Sequence, residues 1–201
     1  MTVRASIGLF CSASDILPEP TKRLARQFGK RCADANLRLV YGGGSRGLMG
    51  EASRAAFAAG GKVHGIIPAS LMEREQDAHL CVGDIEVVDT LSERKNRMAV
   101  ESDAFVALPG GVGTLDELFE MITWNDLCIQ SKAIILCDER GFWDPLLAWF
   151  EGANAVGAIR PGALRRFHSV ASLDALFDLL ETELASVHTI ATEISTSPGA
   201  S

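Results

Sequence analysis

No two cysteines stand at the C-x-x-C spacing of a metal or redox site, and no two histidines at H-x-x-x-H or H-E-x-x-H. The five cysteines (Cys11, Cys32, Cys81, Cys128, Cys137) are widely spaced and odd in number, and several lie inside apolar runs, such as Cys137 in AIILCD. They read as buried reduced thiols, and no metal site is expected. A basic excess is missing too. The formal net charge of −7 excludes broad nucleic-acid binding through a positive surface and leaves room for a local cluster that grips one phosphate. No stretch approaches 18 apolar residues, and the apolar run near the start is too short for a signal segment. A cytoplasmic protein outside the membrane is the expectation. No internal repeat and no linker composition divides the chain.

What is present is ordinary for a globular protein: 201 residues, 47% apolar and 22% charged, enough for one α/β domain with a substantial core. Apolar runs at 5–10, 37–41, 62–67, 85–89, 104–109, 132–138 and 167–172 read as strands. Helical patterns fill 20–35, 47–59, part of 69–84, 91–102, 114–128, 144–152, 161–166 and 172–186, the last with Leu173, Leu176, Phe177 and Leu180 on one face. Continuously apolar strands separated by helices predict an α/β fold: a Rossmann-like, doubly wound parallel sheet with helices on both faces. One domain is expected over 1–187, followed by a loose tail over 188–201. Ligands of such sheets bind at the carboxyl ends of the strands.

Two glycine loops fall at those ends. VYGGGSRGLMG carries Gly42, Gly44 and Gly47 in G-x-G-x-x-G spacing, but after the second strand, and the next strand ends in GIIP without the acid that a dinucleotide ribose needs. NAD is therefore disfavoured. Exposed amides at a helix start still favour an anion, although a tight turn without any ligand fits the same residues. The second loop, Pro109 to Thr114, reads PGGVGT and lacks the lysine of a triphosphate P-loop. Gly110, Gly111 and Gly113 let main-chain amides approach a phosphate, and Thr114 adds a hydroxyl. Two such loops at one sheet edge suggest a single phosphorylated ligand between them. Thr114 and Glu117 also fit a capping box, and Asp116 a favourable first-turn acid. Leu115, Leu118, Phe119 and Ile122 form the expected buried stripe, with Glu117 off it. Spacing alone does not separate cap from function. In LSERKNRM, residues 91–98, Arg94, Lys95 and Arg97 crowd the early turns of a helix capped by Thr90 or Ser92, against its dipole. A phosphate or sugar oxygen would offset that cost, as would pairing with Glu93 and Glu101 on a solvated face.

YGGGSRGLMG, ERKNRM and PGGVGTLDE, in this order and spacing, resemble the LOG ("Lonely guy") family, the cytokinin riboside 5′-monophosphate phosphoribohydrolases. GLFCSAS, GIIP and TWNDL support the resemblance, which spans residues 5 to about 180. It implies a Rossmann-like homodimer, or a larger homo-oligomer, that hydrolyses the N-glycosidic bond of an adenine nucleoside 5′-monophosphate, commonly N6-prenylated. The products are free base and ribose 5-phosphate, and no cofactor is implied. Members are often labelled lysine decarboxylases, yet nothing in this sequence demands pyridoxal phosphate. The family's essential arginine and glutamate map to Arg94 and Glu117. Its substrate-contacting positions map to Ser12, Gly43, Gly44, Ser45, Gln76, Lys95, Gly110, Gly111, Val112, Gly113, Thr114, Asp116 and Thr123. The chain departs from the family at Ser92, where histidine is common, and at Gln76, which replaces a glutamate upstream of a retained His79. It departs again at Asp126 and Cys128 in WNDLC. In relatives these positions lie near the base pocket or the subunit contact. A general AMP nucleosidase and a non-catalytic nucleotide or cofactor carrier are the alternatives on the same fold.

Overall fold

A computed structural model describes residues 3–72, 80–160 and 162–196, with side chains up to Ser186. Seven parallel strands form one sheet in the order β4-β3-β2-β1-β5-β6-β7. In chain order these are β1 (Ala5–Phe10), β2 (Leu37–Tyr41), β3 (Val63–Pro68), β4 (Asp84–Val88), β5 (Ala104–Ala107), β6 (Ala133–Cys137) and β7 (Phe167–Val170). The helices between and after them are α1 (Glu19–Asp34), α2 (Gly47–Ala58), α3 (Ala69–Met72), α4 (Leu91–Glu101), α5 (Val112–Asp126), α6 (Asp144–Ala155) and α7 (Leu173–Thr196). The expected α/β sheet is therefore present, wound in two directions from β1.

Strand alternation explains why the runs are continuously apolar. Ile7, Leu9, Leu39, Tyr41, Val106 and Ile135 face one layer, where they pack on Leu24 and Phe28 of α1, Leu48 and Ala52 of α2, and Leu176 and Leu180 of α7. Phe10, Val40, Ile66, Phe105, Ala107 and Leu136 face the other, against Met98 of α4, Leu118 and Met121 of α5, and Phe150 of α6. The five inner strands, β1, β2, β3, β5 and β6, thus bury both faces, and their period-two polarity disappears. Phe10 and Phe105 stack at 5.3 Å between ring centres, joining β1 to β5.

Two expected elements differ. Residues 162–166 form turns, not a helix. The amides of Ala163, Arg165 and Phe167 donate to the carbonyls of Arg160, Gly162 and Leu164, and Gly162 sits at φ +90, a left-handed conformation that stops helical propagation. The last helix continues beyond 186 to Thr196, through residues expected to be loose. Among the described residues no helix is long and apolar enough to cross a membrane.

The winding places the site. From β1 the chain proceeds outward through β2, β3 and β4, then returns past β1 to β5. The chain therefore leaves β1 and β5 in opposite directions across the sheet, making their carboxyl ends the switch point at which ligands of such sheets bind.

Candidate functional site

Three segments meet at that switch point, and one backbone residue joins them. The Ser12 amide donates to the Pro109 carbonyl at 3.2 Å, tying the β1 exit to the β5 glycine loop. Its carbonyl accepts from the Leu48 amide at 2.8 Å, tying it to the start of α2. Gly42, Gly43, Gly44 and Ser45 are buried beneath this junction. Gly43 adopts φ +77 and lies so close to β3 that a Cβ there would stand 2.7 Å from the Ile67 Cβ. Gly42 faces Arg94: a Cβ on it would lie 3.5 Å from the arginine Nη1.

The helix after β5 starts at Val112, two residues before the expected boundary. Its N-cap is Gly111, and no side chain caps it. The Thr114-to-Glu117 capping box is therefore absent, since Thr114 already lies inside the helix. Thr114 instead folds back beneath the loop, nearly fully buried, and leaves no room for a side chain at 110: a Cβ there would fall 2.1 Å from the Thr114 Oγ1. Gly111, Val112 and Gly113 are exposed. An uncapped helix start on a glycine turn presents amides and the positive end of the helix dipole to solvent, the arrangement that binds anions.

Glu117 does not lie off the buried face of α5. It is 7% exposed, and its Oε1 accepts from Arg94 Nη2 at 2.6 Å. Burial raises the carboxyl to about 7, against the opposing pull of the Arg94 charge and, more weakly, of Lys95. The partner was invisible in α5 because it comes from α4. There Thr90 is the cap: its Oγ1 accepts from the Glu93 amide at 3.0 Å, while the Glu93 carboxylate accepts from the Asp89 amide at 2.9 Å. That fixes the register in which Arg94 and Lys95 project toward α5. The crowded cations at this helix start are each answered by a carboxylate. Arg94 pairs with Glu117, Lys95 with Asp116 at 3.0 Å and Glu120 at 3.1 Å, and Arg97 with Glu86 at 2.7 Å and Glu101 at 3.1 Å. Of the partners expected on α4 itself, Glu101 pairs with Arg97, whereas Glu93 is taken up in capping. The Arg94 Nε is buried without a partner, a donor directed at nothing in the protein.

The expected residues thus fall into groups. Ser12 is tied to the loop carrying Gly110–Thr114 through the Pro109 carbonyl, and Arg94 and Lys95 pair with Glu117 and Asp116 of the helix that follows. Thr123 lies farther along α5, where its hydroxyl donates to the Phe119 carbonyl at 2.7 Å. It lines a shallow concavity of about 480 Å³ with Lys95, Val112, Asp116, Phe119 and Trp124. Gln76 and His79 lie outside the described residues. Two residues went unread in the sequence. Glu120 carries the second contact to Lys95 and could have been found at i+3 from Glu117. Asp15 accepts from the Gly47 amide at 2.8 Å and from Arg46 Nε at 2.6 Å, so α2 begins on a carboxylate of its own chain. A short acid in the loop SASD was the available signal.

Among the described residues no cluster of histidine, cysteine, aspartate and glutamate could hold a metal. Lys95 also fits a covalent amine poorly. Burial favours its neutral form, but Asp116 and Glu120 outweigh burial and hold it charged.

The family model described as "Possible lysine decarboxylase" matches residues 49–180. The cytokinin riboside 5′-monophosphate phosphoribohydrolase of Rhodococcoides fascians is 40% identical over 161 residues, 80% of this chain and 81% of that one. A probable cytokinin riboside 5′-monophosphate phosphoribohydrolase of Oryza sativa subsp. japonica is 43% identical over 157 residues, 78% of this chain; the match spans 64% of the rice protein's own length. Among solved structures, the molybdenum cofactor carrier protein from Chlamydomonas reinhardtii superimposes with a TM-score of 0.68 at 25% identity, covering 90% of this chain and 98% of that one.

Proposed function

This chain belongs to the LOG family of cytokinin riboside 5′-monophosphate phosphoribohydrolases, and from that premise we propose that it hydrolyses the N-glycosidic bond of adenosine 5′-monophosphates, N6-substituted ones included. The observation that carries the reading is the buried Glu117–Arg94 pair beside an uncapped, glycine-rich helix start. The 5′-phosphate rests on the amides of Gly111, Val112 and Gly113, with the Thr114 hydroxyl beneath. Ser12, Gly43, Gly44, Ser45, Gln76, Asp116 and Thr123 complete the substrate contacts. A remote phosphate grip fixes the sugar, so that binding energy is spent on alignment. Arg94, with Nε unpaired, holds a ribose or phosphate oxygen and sets the orientation of Glu117.

Cleavage proceeds through an oxocarbenium-like sugar. The C1′–N9 bond breaks with its electron pair leaving on the base, which takes up a proton from solvent. Water adds to C1′, and the proton it loses passes to Glu117, which returns it to solvent. The ionised carboxylate faces the developing positive charge, and general base assistance contributes on the order of 10²–10⁴-fold. With its pKa near 7, this carboxyl can both accept and release a proton at neutral pH. The active form is a homodimer. Val112 and Trp149 are exposed apolar side chains on the α5–α6 side, the latter edge-on to Phe119, and a second copy would cover them; light scattering reads that assembly directly.

The test is incubation with isopentenyladenosine monophosphate followed by chromatography for free base and ribose 5-phosphate in equal amounts. Glu117→Gln is expected to lower kcat by about 10²–10⁴-fold with nucleotide affinity retained. Near-normal turnover in that variant overturns the assignment. The likeness to a molybdenum cofactor carrier supports a second reading, a carrier without hydrolysis. Nucleotide that stays bound and intact through long incubation would establish it, and released adenine excludes it.

A further inference from the structure

The two glycine loops at the switch point look equivalent in sequence, but they are not equivalent in electrostatics. At α5 the helix start carries no side-chain cap. At α2 the first two amides of the same kind of start are already taken from within. The Asp15 carboxylate takes the Gly47 amide with one oxygen and Arg46 Nε with the other, and the Ser12 carbonyl takes the Leu48 amide. Gly47 is held in that embrace by contact: at φ +56, a Cβ on it would stand 2.4 Å from the Ala13 carbonyl carbon and 2.6 Å from the Ser12 oxygen. The β1–α1 loop therefore sets the Asp15 carboxylate, half-exposed and ion-paired with Arg46, on the helix start that Ser12 ties to the phosphate loop. The backbone hydrogen bond from Gly47 and then the Arg46 contact hold the Asp15 carboxyl below its ordinary range, so the charge persists at every pH at which the protein would work.

We propose that Asp15 is a specificity-determining residue that restricts the ligand to a single phosphate. This rests on the functional reading above. A nucleoside monophosphate places its one phosphate on the α5 amides, with Ser12 between it and Asp15. A second phosphate, as in a nucleoside diphosphate or a dinucleotide, has the α2 start as its natural seat on this fold, because helix starts bind phosphate. Here that seat is taken by a carboxylate, which repels the added charge while consuming the amide that would have bound it. The same occupation explains why a G-x-G-x-x-G run can stand at a strand end in this chain without making a dinucleotide site.

The experiment compares AMP with ADP on the wild-type chain and on Asp15→Asn, by calorimetric binding and by kcat/KM. Asparagine retains the capping oxygen and removes the charge, so the fold at α2 is kept; Asp15→Ser serves as a second capping replacement. The expected result is a preference for AMP over ADP in the wild type that shrinks by about tenfold or more in both variants, chiefly through tighter ADP binding. An unchanged AMP/ADP ratio in both variants makes Asp15 a structural cap only and overturns the proposal. Because the ratio is read from binding as well as turnover, a chain that binds nucleotides without cleaving them would sink the hydrolase reading alone. A chain that binds neither nucleotide would sink both.

Discussion

Glu117 shows how one side chain can change meaning between sequence and structure. In the sequence it sits three residues after a threonine, where a capping box and a functional carboxylate fit equally. In the fold the helix has begun earlier, the cap is Gly111, and the carboxyl is buried against Arg94. The glycines that let α5 start early are also what made its start hard to place. Burial shifts this carboxyl upward to about 7, opposed by Arg94, while the nearby Asp116 raises it further. The sign for activity follows. The base form is the ionised one, so kcat/KM should climb about tenfold per pH unit below a midpoint near 7 and level off above it. Replacing Asp116 with Asn removes a like charge and leaves Lys95 with Glu120 as its remaining carboxylate partner, so more of its charge acts on Glu117; both favour ionisation. A pH–rate profile of that variant should show the acid limb displaced to lower pH; a limb that stays fixed would mean another group controls it.

At the scale of elements, α4 is the part whose placement decides whether Arg94 meets Glu117. Its start is fixed by Thr90 and Glu93, as the sequence allowed. Its end is fixed by residues far away in the chain. Lys132, just before β6, donates its Nζ to the carbonyls of Ala99 at 2.5 Å and Ser102 at 2.6 Å, and Arg38 of β2 donates to the carbonyl of Glu101 at 3.1 Å. Two cations thus satisfy carbonyls at the negative end of the helix dipole. None of this was readable from spacing, because the donors are about 30 and 60 residues away in sequence. Lys132→Met keeps the stem and removes the donor, orphaning two carbonyls, and should cost about 2 kcal/mol in urea denaturation. A loss below about 0.5 kcal/mol would show that the α4 terminus does not depend on it. The strands, by contrast, were legible to within two residues: ASIGLF is buried at every position and LRLVY at all but Arg38, as a doubly covered sheet requires. The 161–166 segment misled because alanine and leucine follow a glycine whose φ of +90 breaks the run.

The whole molecule follows from the direction of winding. Reversal at β1 and β5 brings three loops together, and the continuous apolar runs already implied that reversal by demanding helices on both faces. What they could not imply was which of the two glycine turns would be left open, since that depended on Asp15 folding across to α2. The open start of α5 has an outcome for anyone handling the protein. On the proposed function this turn holds a phosphate, and a folded chain would gain stability from a small oxyanion bound there. At ten times its dissociation constant such an ion adds about 1.4 kcal/mol. Melting curves in inorganic phosphate should therefore run a few degrees above those in a matched chloride buffer, saturating with concentration. Identical melting in the two buffers would mean that the turn does not take phosphate. On that reading the choice of buffer salt becomes part of any stability or inhibition measurement on this chain, because inorganic phosphate would compete with the substrate's own phosphate.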